Sequence, residues 1–88
     1  MNENAAAKDI VDAAFRIHTN LGLGLLESVY ETVLSYELNR RGLHVARQQA
    51  IPIVYENVRM EEGFRADLIV EDKVIVEIKS VEALGHVH

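Results

Sequence analysis

The chain has no cysteine, which excludes a disulfide framework and any zinc–thiolate site and suits a cytoplasmic protein. No apolar run approaches the roughly 20 residues of a membrane span, so no membrane is expected among its partners. The N-terminal stretch Met1-Asn2-Glu3-Asn4-Ala5-Ala6-Ala7-Lys8 lacks the basic-then-apolar order of a signal peptide. Positive charge is in deficit: 9 Lys and Arg face 14 Asp and Glu, for a formal net charge of −5. That sign argues against a protein held on a polyanion mainly by a broad basic surface. Phosphate contacts would have to be local, through Arg40, Arg41, Arg47, Arg59 and Arg65, or bridged by metal ions.

What is present reads as one small domain over residues 1–88. Its composition, 49% hydrophobic and 26% charged, is that of an ordinary soluble globular chain. A domain of this size buries about 60–65% of its unfolded surface. Ile10, Ala13, Ala14, Ile17 and Leu21 recur at helical spacing, predicting a first helix from about Ala5 to Leu21 with Asn4 as N-cap. Gly22 stands where a helix commonly ends. A second helix is expected from Leu25 to about Arg41, with Leu26, Val29, Tyr30, Val33 and Leu34 as its apolar face. Arg40 and Arg41 fall in its last turn and Gly42 just beyond, which suits both the dipole and a glycine C-cap.

Residues from His44 to Tyr55 then read as extended, and the single proline, Pro52, favours an edge or a bulge there. Glu56-Asn57 suits a tight turn, with positive φ expected at the asparagine. Val58 to Val70 continues as a strand bent at Gly63, and Val74 to Val81 is the last. Leu68-Ile69-Val70 and Val74-Ile75-Val76 are continuous apolar runs, a pattern of central strands covered on both faces. The fold class is therefore α+β: two N-terminal helices followed by a three-stranded antiparallel meander. Two helices cover one side of such a sheet. Missing sequence after His88, a homo-oligomer covering the exposed sheet, or both are expected.

The chemistry concentrates near the C-terminal end. Glu77 and Lys79 are two apart and share a face on a strand. If Glu71-Asp72-Lys73 is a three-residue loop, Val70 pairs with Val74 and Asp67 falls opposite Glu77. Cross-strand Cβ atoms are then roughly 5 Å apart, close enough for two carboxylates to share a divalent cation. A slip of one residue sends Asp67 to the other face. Two hard carboxylate oxygens suit Mg²⁺, and a neighbouring lysine could orient an attacking water. The competing reading is a solvated hairpin face with a cross-strand Glu–Lys or Asp–Lys pair worth under about 1 kcal/mol.

Other candidates carry weaker signals. Glu27, in the first turn of the second helix, suits the dipole and the N3 position of a capping box if Gly24 is the N-cap. It also lies at the margin of the apolar face, from which it could lean towards the sheet as a third carboxylate. Glu37 projects into the apolar arc and, if buried, needs a partner such as an arginine; the role read for it is structural. His18 suits the end of the first helix or a cleft beside it. His86 and His88 could chelate a metal if extended, and otherwise belong to a frayed terminus. Gly22-Leu23-Gly24 follows a helix and has no lysine after it, so it is no phosphate loop. Ser28, Ser35 and Ser80 lack a His–Asp arrangement.

Taken whole, Ile17-His18-Thr19-Asn20-Leu21-Gly22-Leu23-Gly24-Leu25-Leu26-Glu27-Ser28-Val29-Tyr30-Glu31 resembles the signature of the GxxExxY family, with Gly24, Glu27 and Tyr30 as its named residues. The resemblance continues through Arg47-Gln48, Tyr55, Phe64-Arg65-Ala66-Asp67 and Val76-Glu77-Ile78-Lys79, covering nearly the whole chain. That family is grouped with the PD-(D/E)XK nucleases, whose core is αβββαβ. The resemblance implies a truncated restriction-endonuclease-like fold and a nuclease, a hydrolase of phosphodiester bonds in DNA or RNA. It makes Asp67 and Glu77 the ligands of Mg²⁺ (or Mn²⁺), Lys79 the motif lysine, and Glu27 the additional glutamate of the first core helix. The alternative is a catalytically inactive nuclease-fold module acting in protein–protein interaction or self-association. Leu23 replaces the proline usual between the signature glycines, which should leave that link less stiff. Family members continue beyond the point of His88 into a helix carrying a glutamine and a final strand, so the domain is expected to be incomplete at its C-terminus.

Overall fold

The computed structural model describes residues 1–22 and 24–79. Helix α1 spans Glu3–Leu21. It starts earlier than the apolar pattern implies because Asn2, not Asn4, is the N-cap: its side chain accepts from the Ala5 amide at 2.8 Å. Gly22, at φ 81°, closes it with its N–H on the His18 carbonyl. Helix α2 spans Glu27–Arg40 with Leu26 as N-cap and no side-chain cap bond. Glu27 is thus the first helical residue, and the capping box on Gly24 is not formed. At the far end Gly42 takes φ 90°, its N–H reaches Asn39 and that of Leu43 reaches Leu38. These two bonds form a Schellman motif that buries Leu43 over the last turn.

Three antiparallel strands follow in the order β1-β2-β3: β1 Val45–Tyr55, β2 Val58–Val70 and β3 Val74–Val76. Among the described residues β1 and β3 are the two sheet edges, so β3 is not the central strand that its apolar run predicts. The β1–β2 register shifts between Ile51↔Phe64 and Ile53↔Met60, so Glu61, Glu62 and Gly63 stand against Pro52 alone. Pro52 therefore occupies both an edge strand and a bulge, where its missing N–H is tolerated. Gly63 belongs at this bend because a Cβ there would lie 2.7 Å from the Ile53 Cβ. In the β1–β2 turn the positive φ falls on Glu56, at 54°, rather than on Asn57.

The helices pack on one face of the sheet. Ile10, Ala13 and Ile17 of α1 and Leu34 and Leu38 of α2 meet Leu68 and Val70, with Val74, Val76 and Ile78 partly buried against them. The opposite face is open, with Ile75 51% exposed. The apolar runs are thus not covered on both sides among the described residues. Helix α2 is also rotated from its expected orientation. Its buried residues are Glu31, Leu34, Ser35, Glu37 and Leu38, while Leu26 and Val29 are exposed. The apolar pattern alone misplaces this helix because two carboxylates, Glu31 and Glu37, face inward with partners supplied. No helix of the described residues is long and apolar enough to cross a membrane.

Glu37 has the arginine that its burial requires. Arg41 Nε donates to Glu37 Oε2 at 3.0 Å, and Arg41 Nη1 reaches Asp12 at 3.0 Å and Asp9 at 3.2 Å. Glu37, backed by the other two carboxylates, holds the Arg41 guanidinium above its usual range. This cluster pins the end of α2 to the first half of α1. Arg41→Met, which keeps much of the stem, should lower unfolding free energy by about 1–3 kcal/mol, since Glu37 would stay buried without its main partner. Urea denaturation followed by circular dichroism measures that loss.

Candidate active site

The turn after β2 determines what meets across the strands. Glu71 and Asp72 adopt φ 56° and 55°, and the Lys73 N–H returns to the Val70 carbonyl at 3.0 Å. The register is Val70↔Val74, Ile69↔Ile75 and Leu68↔Val76. Its next step sets Asp67 against Glu77, as the spacing requires. Here the ladder ends and side chains replace carbonyls. The Asp67 N–H donates to Glu77 Oε2 at 3.3 Å, and the Ile78 N–H donates to Asp67 Oδ2 at 2.7 Å. The two strands therefore part at a fork whose last backbone donors are satisfied by the two carboxylates.

Asp67 is half-buried there, whereas Glu77 and Lys79 are exposed. Among the described residues Lys79 forms no ion pair with either carboxylate. The salt-bridged hairpin is thus not the arrangement adopted. Glu27 opens α2 on the exposed side. Among the described residues no three His, Asp or Glu side chains gather closely enough to hold a metal ion, so Asp67 and Glu77 stand as a pair. Ser80 and the two C-terminal histidines, His86 and His88, lie outside the described residues, as does Leu23.

A second set of residues joins this fork, one that the spacing of charged residues does not single out. Glu31, one turn after Glu27, is 8% exposed. Its Oε1 accepts from Gln48 Nε2 at 2.8 Å and its Oε2 from Arg47 Nε at 3.1 Å. The same Gln48 nitrogen donates to Asp67 Oδ1 at 3.3 Å. Arg47 also reaches the Thr32 hydroxyl at 3.0 Å. The available signal is the spacing of Glu31 from Leu34, Ser35 and Leu38, which puts it on one helical stripe with them. Nearby, the His18 and Tyr30 rings lie 5.2 Å apart, linking the end of α1 to the first turns of α2. Burial raises the Tyr30 phenol above its ordinary value.

Residues 4–88 match the family model of the PD-(D/E)XK nuclease superfamily. The chain belongs to that superfamily. Neither the curated proteins nor the solved structures gave a match. In a PD-(D/E)XK chain the donor set at the fork can be tested against the cation such nucleases typically use. Two adjacent carboxylates, with no thiol in the sequence, fit a hard divalent ion that keeps several waters and needs few protein ligands.

Asp67 also has a structural role that requires no cation. Asp67→Ala should cost about 1–2 kcal/mol, because the Ile78 N–H and the Gln48 amide both lose an acceptor. Asp67→Asn, which retains an oxygen for Ile78, should cost less. Chemical denaturation of the two variants beside the wild type checks the order.

Proposed function

We propose that this chain is a nuclease of the GxxExxY type, hydrolysing phosphodiester bonds in DNA or RNA with Mg²⁺ or Mn²⁺. The supporting observation is the fork, which brings Asp67 and Glu77 face to face with Lys79 two residues further on. Asp67 and Glu77 would hold the cation, and Glu27, Gly24 and Tyr30 supply the signature of the subfamily. A cation held there supplies an acidified water and offsets charge developing on phosphorus. The Lys79 ammonium, left without a carboxylate partner among the described residues, is available to orient the attacking water. Glu27 has the charge to tune the site from the head of α2.

Charge placement supports a cation in this role. Each of the five arginines that phosphate contacts would draw on is engaged by a carboxylate. Arg40 and Arg41 hold Glu37, Arg47 holds Glu31, Arg59 holds Glu61 and Arg65 holds Glu62. An acidic chain with its arginines so occupied gains most from a metal bridge to the substrate backbone.

A second reading, a protein-interaction or self-associating module that keeps the fold without hydrolysis, is favoured by the β1–β2 hairpin. Ile53, Val54, Tyr55, Val58 and Met60 are exposed along it. Calorimetric titration with Mg²⁺ and Mn²⁺ separates the two readings. The wild type should take up metal and Asp67→Asn should bind it at least about tenfold more weakly; absence of uptake by the wild type sinks the nuclease reading. Lys79→Ala should lower the rate of nucleic-acid cleavage about 10²-fold or more with little change in metal affinity. Cleavage unaltered by that substitution identifies a contaminant.

A further inference from the structure

Gln48 lies inside β1 yet has φ 49°. A left-handed conformation at a residue other than glycine costs about 1–3 kcal/mol and persists only where the surroundings impose it. Nothing in the strand pairing imposes it here. The flanking pairs Arg47↔Leu68 and Gln49↔Ala66 keep one register, with Gln48 and Asp67 the residues between them. The kink accommodates no inserted residue.

What accompanies the kink is a set of contacts directed at Asp67. The Gln48 nitrogen donates to Glu31 Oε1 at 2.8 Å and to Asp67 Oδ1 at 3.3 Å. Both partners are acceptors, which settles the orientation of the amide. The backbone carbonyl of Gln48 accepts from Arg65 Nη1 at 3.2 Å. Glu31 is itself buried and held by Arg47. Asp67 Oδ2 is fixed by the Ile78 N–H at 2.7 Å. Each oxygen of Asp67 thus has one donor, which defines the plane of the carboxylate and leaves further lone pairs on both. Gln48 is exposed, so core packing does not explain its conformation.

We propose that Gln48 is a positioning residue, which carries the rigidity of the Arg47–Glu31 pair between β1 and α2 to the Asp67 carboxylate and sets that carboxylate to receive a divalent cation. The proposal rests on the reading of Asp67 as a metal ligand. A neutral amide suits this role because it orients a carboxylate without competing for its charge, as outer-shell donors do around metal ligands. An arginine or lysine in its place would satisfy Asp67 and repel the cation.

The test uses two variants of the full chain with Mn²⁺ as probe. Gln48→Gly removes the amide while accepting the left-handed backbone, which offsets part of the loss of its bonds to Glu31 and Asp67, so the variant should stay folded. Gln48→Met keeps the length of the side chain and removes the donor, which covers the case of a glycine variant that folds poorly. Both should weaken Mn²⁺ binding by about tenfold in calorimetry. Both should also speed amide hydrogen exchange at Ile78, whose acceptor has lost its anchor, relative to Ile69 and Ile75. Wild-type affinity, or wild-type exchange at Ile78, in both variants overturns the proposal and reduces Gln48 to a partner for Glu31. Lack of Mn²⁺ uptake by the wild type itself instead removes the nuclease reading on which the proposal depends.

Discussion

The three-residue turn between β2 and β3 is the constraint on which the rest of the structure depends. Glu71 and Asp72 both take left-handed backbone there, and the turn is tied to the start of β1. The Glu71 N–H donates to the His44 carbonyl at 2.8 Å, while the Glu71 carboxylate accepts from the His44 N–H. One turn thus registers all three strands. Because side chains alternate along a strand, a slip of one residue would move Leu68 and Val70 out of the core together with any displacement of Asp67. The burial of these two residues, both at 0% exposure, therefore protects the geometry of the fork. Core packing and site placement are one requirement here.

The second organising feature is the treatment of charge. Three carboxylates of α2 and the fork, Glu31, Glu37 and Asp67, are withdrawn from full solvation, and each has a donor assigned to it. Among the described residues no buried side-chain nitrogen or oxygen lacks a hydrogen bond. A buried carboxylate deprived of its donor costs several kcal/mol, so these partners fix helix rotation as firmly as the apolar residues do. The net charge of −5 does not describe a uniformly repulsive surface. Acidic groups hold five of the six arginines, which leaves Glu77 and Lys79 at the fork mouth outside those pairings.

Much of the architecture is legible in the residues themselves. The glycines at 22 and 42, the apolar period of α1, the bulge at Pro52 and Gly63, and the Val70↔Val74 register all follow from local rules of backbone geometry and spacing. The departures also have local causes. Asn2 captures the cap expected at Asn4, and Glu56 takes the positive φ expected at Asn57. The rotation of α2 escapes its apolar pattern because Leu26 and Val29 satisfy that pattern while lying on the exposed side. Only contacts with β1 show why Glu31 faces inward in their place.

The sequence by itself determined that a three-residue turn at Glu71-Asp72-Lys73 would set Asp67 opposite Glu77, and the structure supplies that turn with Leu68 and Val70 buried beside it. It likewise determined that Glu37, if buried, needs a partner such as an arginine. Only the tertiary structure decided which arginine and glutamine serve which carboxylate. The bonds from Arg47 and Gln48 to Glu31, and from Gln48 to Asp67, span 16 to 19 residues. At that separation the partners are chosen by how α2 settles on β1, a choice made by packing and desolvation that spacing along the chain does not encode.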